Sequence, residues 1–182
     1  LKANRLSFLL RSGYVFIWPI YKGTFERGYP EFPNYVSNDS KIYADQMIMM
    51  VKDYSRAIDF VEQDDDLLND VYYYGISWGG KLGPLFLAND KRIKKAVWQV
   101  AGLGARETRP EGSPLTFLSR INKPVLMLNG IYDQYFPFET SQKPMYELLS
   151  LKEPMKKMIT YESAHSPPLN ETSKEVLKWF NQ

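Results

Sequence analysis

The 182 residues contain no cysteine, which removes disulfides, thiolate nucleophiles and sulfur-ligated metal sites but does not tell one redox compartment from another. There is one histidine, so no cluster of imidazoles can hold a metal. No apolar run approaches the length of about 18 residues that a membrane-spanning helix requires. Charge of one sign is also scarce: 23 Lys and Arg against 21 Asp and Glu leave a net charge of +2, too little to argue for nucleic acid or a membrane surface as a partner. What remains, 44% hydrophobic and 24% charged, is the composition of a globular chain long enough for one well-buried domain and too short for two of ordinary size. One domain over 1–182 is therefore expected. The chain opens Leu1-Lys2-Ala3-Asn4 without an initiator methionine and reads as a processed product or an excerpt; its compartment stays open, leaning to the cytoplasm.

The stretch that organises the chain is Val71-Tyr-Tyr-Tyr-Gly-Ile-Ser-Trp-Gly-Gly80. An apolar, aromatic run of this kind predicts a short buried strand, and Gly75-x-Ser77-x-Gly79 at its end predicts a sharp turn into a helix that holds the serine hydroxyl clear of the sheet. Ser77 is expected at positive φ, with Gly75 and Gly79 as flanks where a Cβ would collide with the neighbouring element. Leu82, Leu85 and Phe86 follow at helical spacing over 81–88. The plainer reading is a glycine-rich turn whose serine caps a helix.

Elsewhere strands and helices alternate. Asn4 to Leu10 predicts the last turns of a helix closed by Ser12-Gly13. Tyr14 to Trp18 predicts a strand covered on both faces, ended by Pro19. Residues 19–38 predict a long loop whose Tyr21, Phe25, Tyr29, Phe32 and Tyr35 line a pocket or cover the core. A capped helix follows from Asp39 or Ser40 to Glu62, its methionines at 47, 49 and 50 suiting a helix on a sheet better than an adaptable groove. Asp64-Asp-Asp66 lacks the glycine and terminal glutamate of a calcium loop and reads as a solvated helix exit. Further strands are expected at 93–100, 124–129 and 155–161, with helical segments near 114–118, over part of 139–151, and at 170–180, where Val176, Leu177 and Phe180 form the apolar face. Helices between apolar strands imply crossover connections, so the fold class is an open three-layer α/β/α domain with a mostly parallel sheet.

In such sheets ligands bind beyond the carboxyl ends of the strands. Asp133 follows the strand ending at 129 and His165 the strand ending at 161, so both share an edge with Ser77. A serine hydroxyl needs a neutral imidazole to take its proton, and the imidazole needs a carboxylate to fix its tautomer. Ser77, Asp133 and His165 thus form the expected catalytic triad, in the order usual for this architecture. Arg106 and Arg109, in the loop over 101–111, are candidate substrate-binding cations for an anionic leaving group, although exposed loop arginines are more often solvated.

On these residues the chain resembles the α/β-hydrolases, and within them the branch of dienelactone hydrolases, acetyl xylan esterases and prolyl oligopeptidase-like enzymes. Gly75-Ile-Ser-Trp-Gly-Gly80 resembles that branch's nucleophile segment, and Gly130-Ile-Tyr-Asp133 followed by Pro137 its acid loop. Ser12-Gly13-Tyr14 through Pro19-Ile-Tyr-Lys-Gly23 resembles its Pro-Asp-Tyr-Arg-Gly turn, with Ile20 and Lys22 as departures. The resemblance implies Ser77 as nucleophile, His165 as general base and acid, Asp133 as orienting carboxylate and the Trp78 N–H as one oxyanion-hole donor. Family members carry further strands ahead of the helix ending near Leu10, so the fold is expected to lack its N-terminal strands here. An upstream segment or a second chain is then the expected source of the other donor; within the chain the candidate is Tyr21, counted with the substrate-binding residues. The implied function is a serine hydrolase cleaving a carboxylic ester through an acyl-enzyme, without metal or cofactor. A peptidase of the prolyl oligopeptidase type and a non-catalytic binding module are the alternatives, with a small ester or peptide as the partner.

Overall fold

The computed structural model describes residues 3–28, 37–67, 70–106 and 108–182. Strands β1 (Val71–Ile76), β2 (Ile93–Gln99), β3 (Val125–Gly130) and β4 (Lys156–Tyr161) form one parallel sheet in the order β1-β2-β3-β4. Every residue of β3 is buried, as a central strand with helices on both faces should be. The two-residue period of the strands sorts their side chains into two cores. Tyr73, Ala96, Trp98, Val125 and Met127 face one side, where they meet Met47 and Met50 of α2 (Lys41–Val61), Leu82, Leu85 and Phe86 of α3 (Trp78–Asn89), Leu118 of α4 (Pro114–Leu118) and Met145 of α5 (Lys143–Glu147). Val97, Leu126 and Leu128 face the other side, against Leu9 of α1 (Ser7–Arg11) and Val176, Trp179 and Phe180 of α6 (Leu169–Phe180). Helix, sheet, helix: the three layers follow from where these side chains can hide from water.

Local signals set the helix ends. Ser40 caps α2 by accepting the Tyr43 N–H at 3.1 Å, satisfying one of the first-turn amides. Gly13, at φ +84°, follows the Ser12 C-cap of α1, a backbone setting open to glycine at little cost. Pro144 sits in the first turn of α5, where its missing N–H has no intrahelical acceptor to satisfy. Asp64 to Asp66 make a turn in which Asp64 Oδ1 accepts the Asp66 N–H at 3.1 Å; among the described residues no group of histidine, aspartate and glutamate could hold a metal ion.

One expected strand is not a strand. Residues 14–18 are extended but join no ladder. Tyr14 and Phe16 pack into the second core, with the Tyr14 ring 6.2 Å from that of Tyr72 on β1. Val15, Ile17 and Trp18 are exposed. The aromatic, β-branched run predicts a strand covered on both faces; in the structure only its alternate residues are covered. A second expectation also fails: a Cβ on Gly79 would come no nearer than 3.7 Å to the Tyr73 hydroxyl, so the collision expected there is absent. Leu1, Lys2, Tyr29, Phe32, Tyr35, Leu68, Asn69 and Glu107 lie outside the described residues.

Candidate active site

At the end of β1 the chain turns at Ser77 with φ 55° and ψ −112°, a conformation that costs a non-glycine residue on the order of 1–3 kcal/mol and needs its surroundings to hold it. Two backbone bonds do so. The Ser77 N–H donates to the Gln99 carbonyl at 2.8 Å, and the Ser77 carbonyl accepts from the Lys81 N–H at 2.9 Å. Gly75 is needed by close approach: a Cβ there would lie 2.6 Å from the backbone C and O of Gly79. The Tyr73 hydroxyl donates to that same Gly79 carbonyl at 2.6 Å, tying the first turn of α3 back to β1. Trp78 opens α3, so its amide has no acceptor within the helix and lies at the positive end of the helix dipole. Burial leaves the Tyr43 phenol of α2 above its ordinary pKa, the Trp78 indole opposing the rise.

The Ser77 hydroxyl lies 2.7 Å from Nε2 of His165, whose Nδ1 lies 2.7 Å from Oδ2 of Asp133. With Nδ1–H donating to the carboxylate, Nε2 is left as acceptor for the serine proton. Asp133 is 3% exposed and its other oxygen, Oδ1, accepts the N–H groups of Tyr135 at 2.8 Å and Phe136 at 3.2 Å. Those bonds fold the acid loop around its carboxylate. The loop is clamped from below by Gln142, fully buried, whose Nε2 donates to the carbonyls of Gly130 at 2.8 Å and Phe136 at 2.7 Å. It is also joined to the histidine loop, since Ile131 N–H donates to the Tyr161 carbonyl and Tyr132 N–H to the Ser163 carbonyl, each at 3.0 Å. The three side chains therefore arrive from three strand ends on one edge of the sheet, as the chain order implied.

Other parts of the surroundings were not foreseen. Tyr135 is 77% exposed, and its ring stands edge-on to His165 with centroids 4.8 Å apart. Asn129, buried at the end of β3, accepts the Ala101 N–H at 2.9 Å and donates to the Ala101 carbonyl at 3.0 Å, fixing the start of the loop after β2. A polar residue closing the apolar run Val125-Leu-Met-Leu128 was a readable signal for it. Nothing in the sequence pointed to Gln142 or Tyr135.

The Tyr21 ring stacks on Phe86 at 6.0 Å in a cluster with Tyr54 and Tyr73, and burial, with the Asp53 charge second, pushes its phenol pKa well up. Arg109 is paired with Glu111 at 2.9 Å. Arg106 is exposed in the loop after β2, and its charge bears on Lys81.

No family model matches the sequence, and no curated protein matches it either. Solved structures do. A protein of Klebsiella pneumoniae subsp. pneumoniae assigned as a dienelactone hydrolase superposes with a TM-score of 0.64 at 21% identity, over 75% of this chain and 62% of that one. Est1E from Butyrivibrio proteoclasticus, solved with ferulic acid bound, superposes with 0.59 at 17% identity over 74% and 68%. An esterase from Pyrococcus furiosus superposes with 0.72 at 16% identity over 97% of this chain and 74% of that one. The chain thus spans 62% of the length of the first of these. Likeness at such identities concerns architecture, and it shows that the chain has the fold of the α/β-hydrolases.

Proposed function

We propose that the chain is the catalytic part of a serine hydrolase that cleaves carboxylic esters through an acyl-enzyme intermediate. The observation that carries this reading is the unbroken chain of two 2.7 Å hydrogen bonds from Ser77 Oγ through His165 to a buried Asp133. His165 takes the serine proton as Oγ attacks the carbonyl carbon. The tetrahedral oxyanion is met by the Trp78 N–H, and His165 then returns the proton to the departing alkoxide. Water repeats the cycle on the acyl-enzyme with His165 again as base. Neither metal nor cofactor has a part in these steps.

The reading also includes an upstream segment or second chain that completes the domain and supplies the other oxyanion donor. What supports it is the edge of β1, which pairs with no strand among the described residues, the exposed side chains Val15, Ile17 and Trp18, and a Tyr21 ring packed among other rings with no hydrogen bond to the triad among the described residues. Within the superfamily, the Gly-Ile-Ser-Trp-Gly-Gly segment favours the branch of dienelactone hydrolases, acetyl xylan esterases and prolyl oligopeptidase-like enzymes. A fluorophosphonate probe, which phosphonylates an activated serine, tests the core of the proposal. Labelling mapped to Ser77 and lost in Ser77→Ala is expected; an unlabelled protein, with Ser77 unmodified at high probe concentration, sinks it.

A further inference from the structure

His165 is held at both ring nitrogens, by Asp133 at Nδ1 and by Ser77 at Nε2, but the two bonds are not equally durable. Once Ser77 has given up its proton and attacked, the Nε2 bond has to pass from the serine oxygen to the leaving oxygen, and later to water. During those exchanges a single hydrogen bond fixes the imidazole. Packing against the ring has to supply the rest.

That packing comes from two consecutive residues of the acid loop. The Tyr135 ring lies 4.8 Å from the imidazole, centroid to centroid, at an angle of 61°, and the Phe136 ring 6.0 Å from it at 35°, separations at which aromatic pairs attract. The amides of the same two residues hold Asp133 Oδ1 at 2.8 and 3.2 Å. One short segment therefore grips the carboxylate with its backbone and the imidazole with its side chains. Its own base is firm: Gln142 Nε2 donates to the Phe136 carbonyl at 2.7 Å, and Pro137 restricts the backbone of the residue before it. Phe136 is buried and serves the fold as well. Tyr135 does not: its side chain is exposed, and among the described residues its hydroxyl has no hydrogen-bond partner and its ring no aromatic neighbour but His165 and the adjoining loop.

We propose that Tyr135 is a positioning residue, whose ring keeps the imidazole in the plane shared by Asp133 and Ser77 while the Nε2 bond changes partner. For that cycle the proposal rests on the hydrolase reading; the ordering of the imidazole is a property of the folded chain by itself.

Tyr135→Ala removes the ring and keeps the amide that holds Asp133, whereas Tyr135→Phe keeps both. With the side chain exposed, both variants should fold, which circular dichroism checks. The first readout is kinetic. Tyr135→Ala should lower kcat on p-nitrophenyl acetate about fivefold, the scale of one aromatic pair, with KM kept within about twofold, and should slow fluorophosphonate labelling of Ser77 by the same factor. Tyr135→Phe should match the wild type in all three. The second readout is spectroscopic. With one histidine in the chain, the Nδ1 proton of His165 can be followed by NMR without ambiguity; it should be visible in the wild type and in Tyr135→Phe, and broadened by exchange with water in Tyr135→Ala. Wild-type rates in Tyr135→Ala overturn the proposal. So does a rise in KM at unchanged kcat, which would make Tyr135 a substrate contact, and so does an equal loss in Tyr135→Phe, which would assign the effect to the hydroxyl. A wild type that neither turns over the ester nor takes the probe removes the hydrolase reading instead; the proton signal then decides alone, its loss in Tyr135→Ala upholding the positioning role and its persistence there overturning it.

Discussion

At the scale of single residues, the carboxylate that orients His165 is set apart from its rivals by burial. Asp133 is 3% exposed and spends one oxygen on two backbone amides and the other on the imidazole. Glu139, six residues on, is exposed and paired with Lys143 at 3.2 Å, an i,i+4 surface pair of little energetic consequence. Asp133→Asn should therefore lower kcat by up to about four orders of magnitude, because an amide in that place favours the wrong tautomer of His165. Glu139→Gln should act within about twofold of wild type. Steady-state rates on one ester for both variants, with circular dichroism to show that each is folded, check the pair; a near-wild-type Asp133→Asn would remove Asp133 from the role.

At the scale of elements, the elbow depends on how closely β1 and α3 approach, and the two motif glycines are not equivalent. Gly75→Ala drives a Cβ to within 2.6 Å of the Gly79 backbone and must push α3 away from β1, moving Ser77 and the Trp78 amide together. Gly79→Ala places its Cβ in ordinary contact, 3.7 Å from the Tyr73 hydroxyl. The first substitution should cost at least about 100-fold in kcat/KM, since displacing a nucleophile by an ångström is that expensive, and the second less than about tenfold; assays of the two purified variants decide, and equal losses would show that the close approach is not what Gly75 secures. The sequence made this element legible because strand, glycine spacing and helix are contiguous in it. The triad was legible for a related reason: each member follows a segment that could be recognised as a parallel strand, apolar before Ser77 and Asp133 and half polar, Lys156-Lys-Met-Ile-Thr-Tyr161, before His165. What escaped was whatever depends on partners distant in sequence. A run such as 14–18 looks the same whether its neighbours cover both faces or only one, and Gln142 clamps the acid loop through backbone carbonyls that no pattern of side chains reveals.

At the scale of the whole molecule, the end of the sheet opposite the triad is held by Arg92, just before β2. Its guanidinium donates to Asp90 Oδ2 at 2.6 Å, Asp59 Oδ1 at 2.7 Å, Glu62 Oε2 at 2.7 Å and the Ser55 carbonyl at 3.1 Å, so one side chain ties α2 to the turn between α3 and β2. Lys123, just before β3, donates to the Leu87 and Asp90 carbonyls at 3.1 and 2.7 Å and brings the next strand into the same knot. Hydrogen bonds from Arg92 hold the Asp59 pKa below its ordinary value. At Asp90 burial opposes ionisation, but the side-chain and backbone hydrogen bonds of Arg92 outweigh it and the pKa is again lowered. A carboxylate whose folded pKa lies below its unfolded value, about 3.9 for aspartate, stabilises the fold above that value. The contribution drains away as the pH falls through the folded pKa. The wild type should accordingly lose stability between about pH 5 and pH 3, by urea denaturation at fixed salt. Arg92→Met should be less stable at pH 7, with a melting temperature lower by on the order of 5 °C because the buried Asp90 is left uncompensated. Its stability should fall less steeply over the same acid range, having lost the cation that depresses the two carboxyl groups. If the two proteins lose stability in parallel from pH 5 to pH 3, the acid sensitivity comes from other carboxylates and the Arg92 knot does not govern it. Because the knot lies beyond the amino end of β2 and the triad beyond the carboxyl ends, Arg92→Met should keep the kcat of the folded fraction at pH 7 within a few-fold of wild type, even as that fraction becomes easier to unfold.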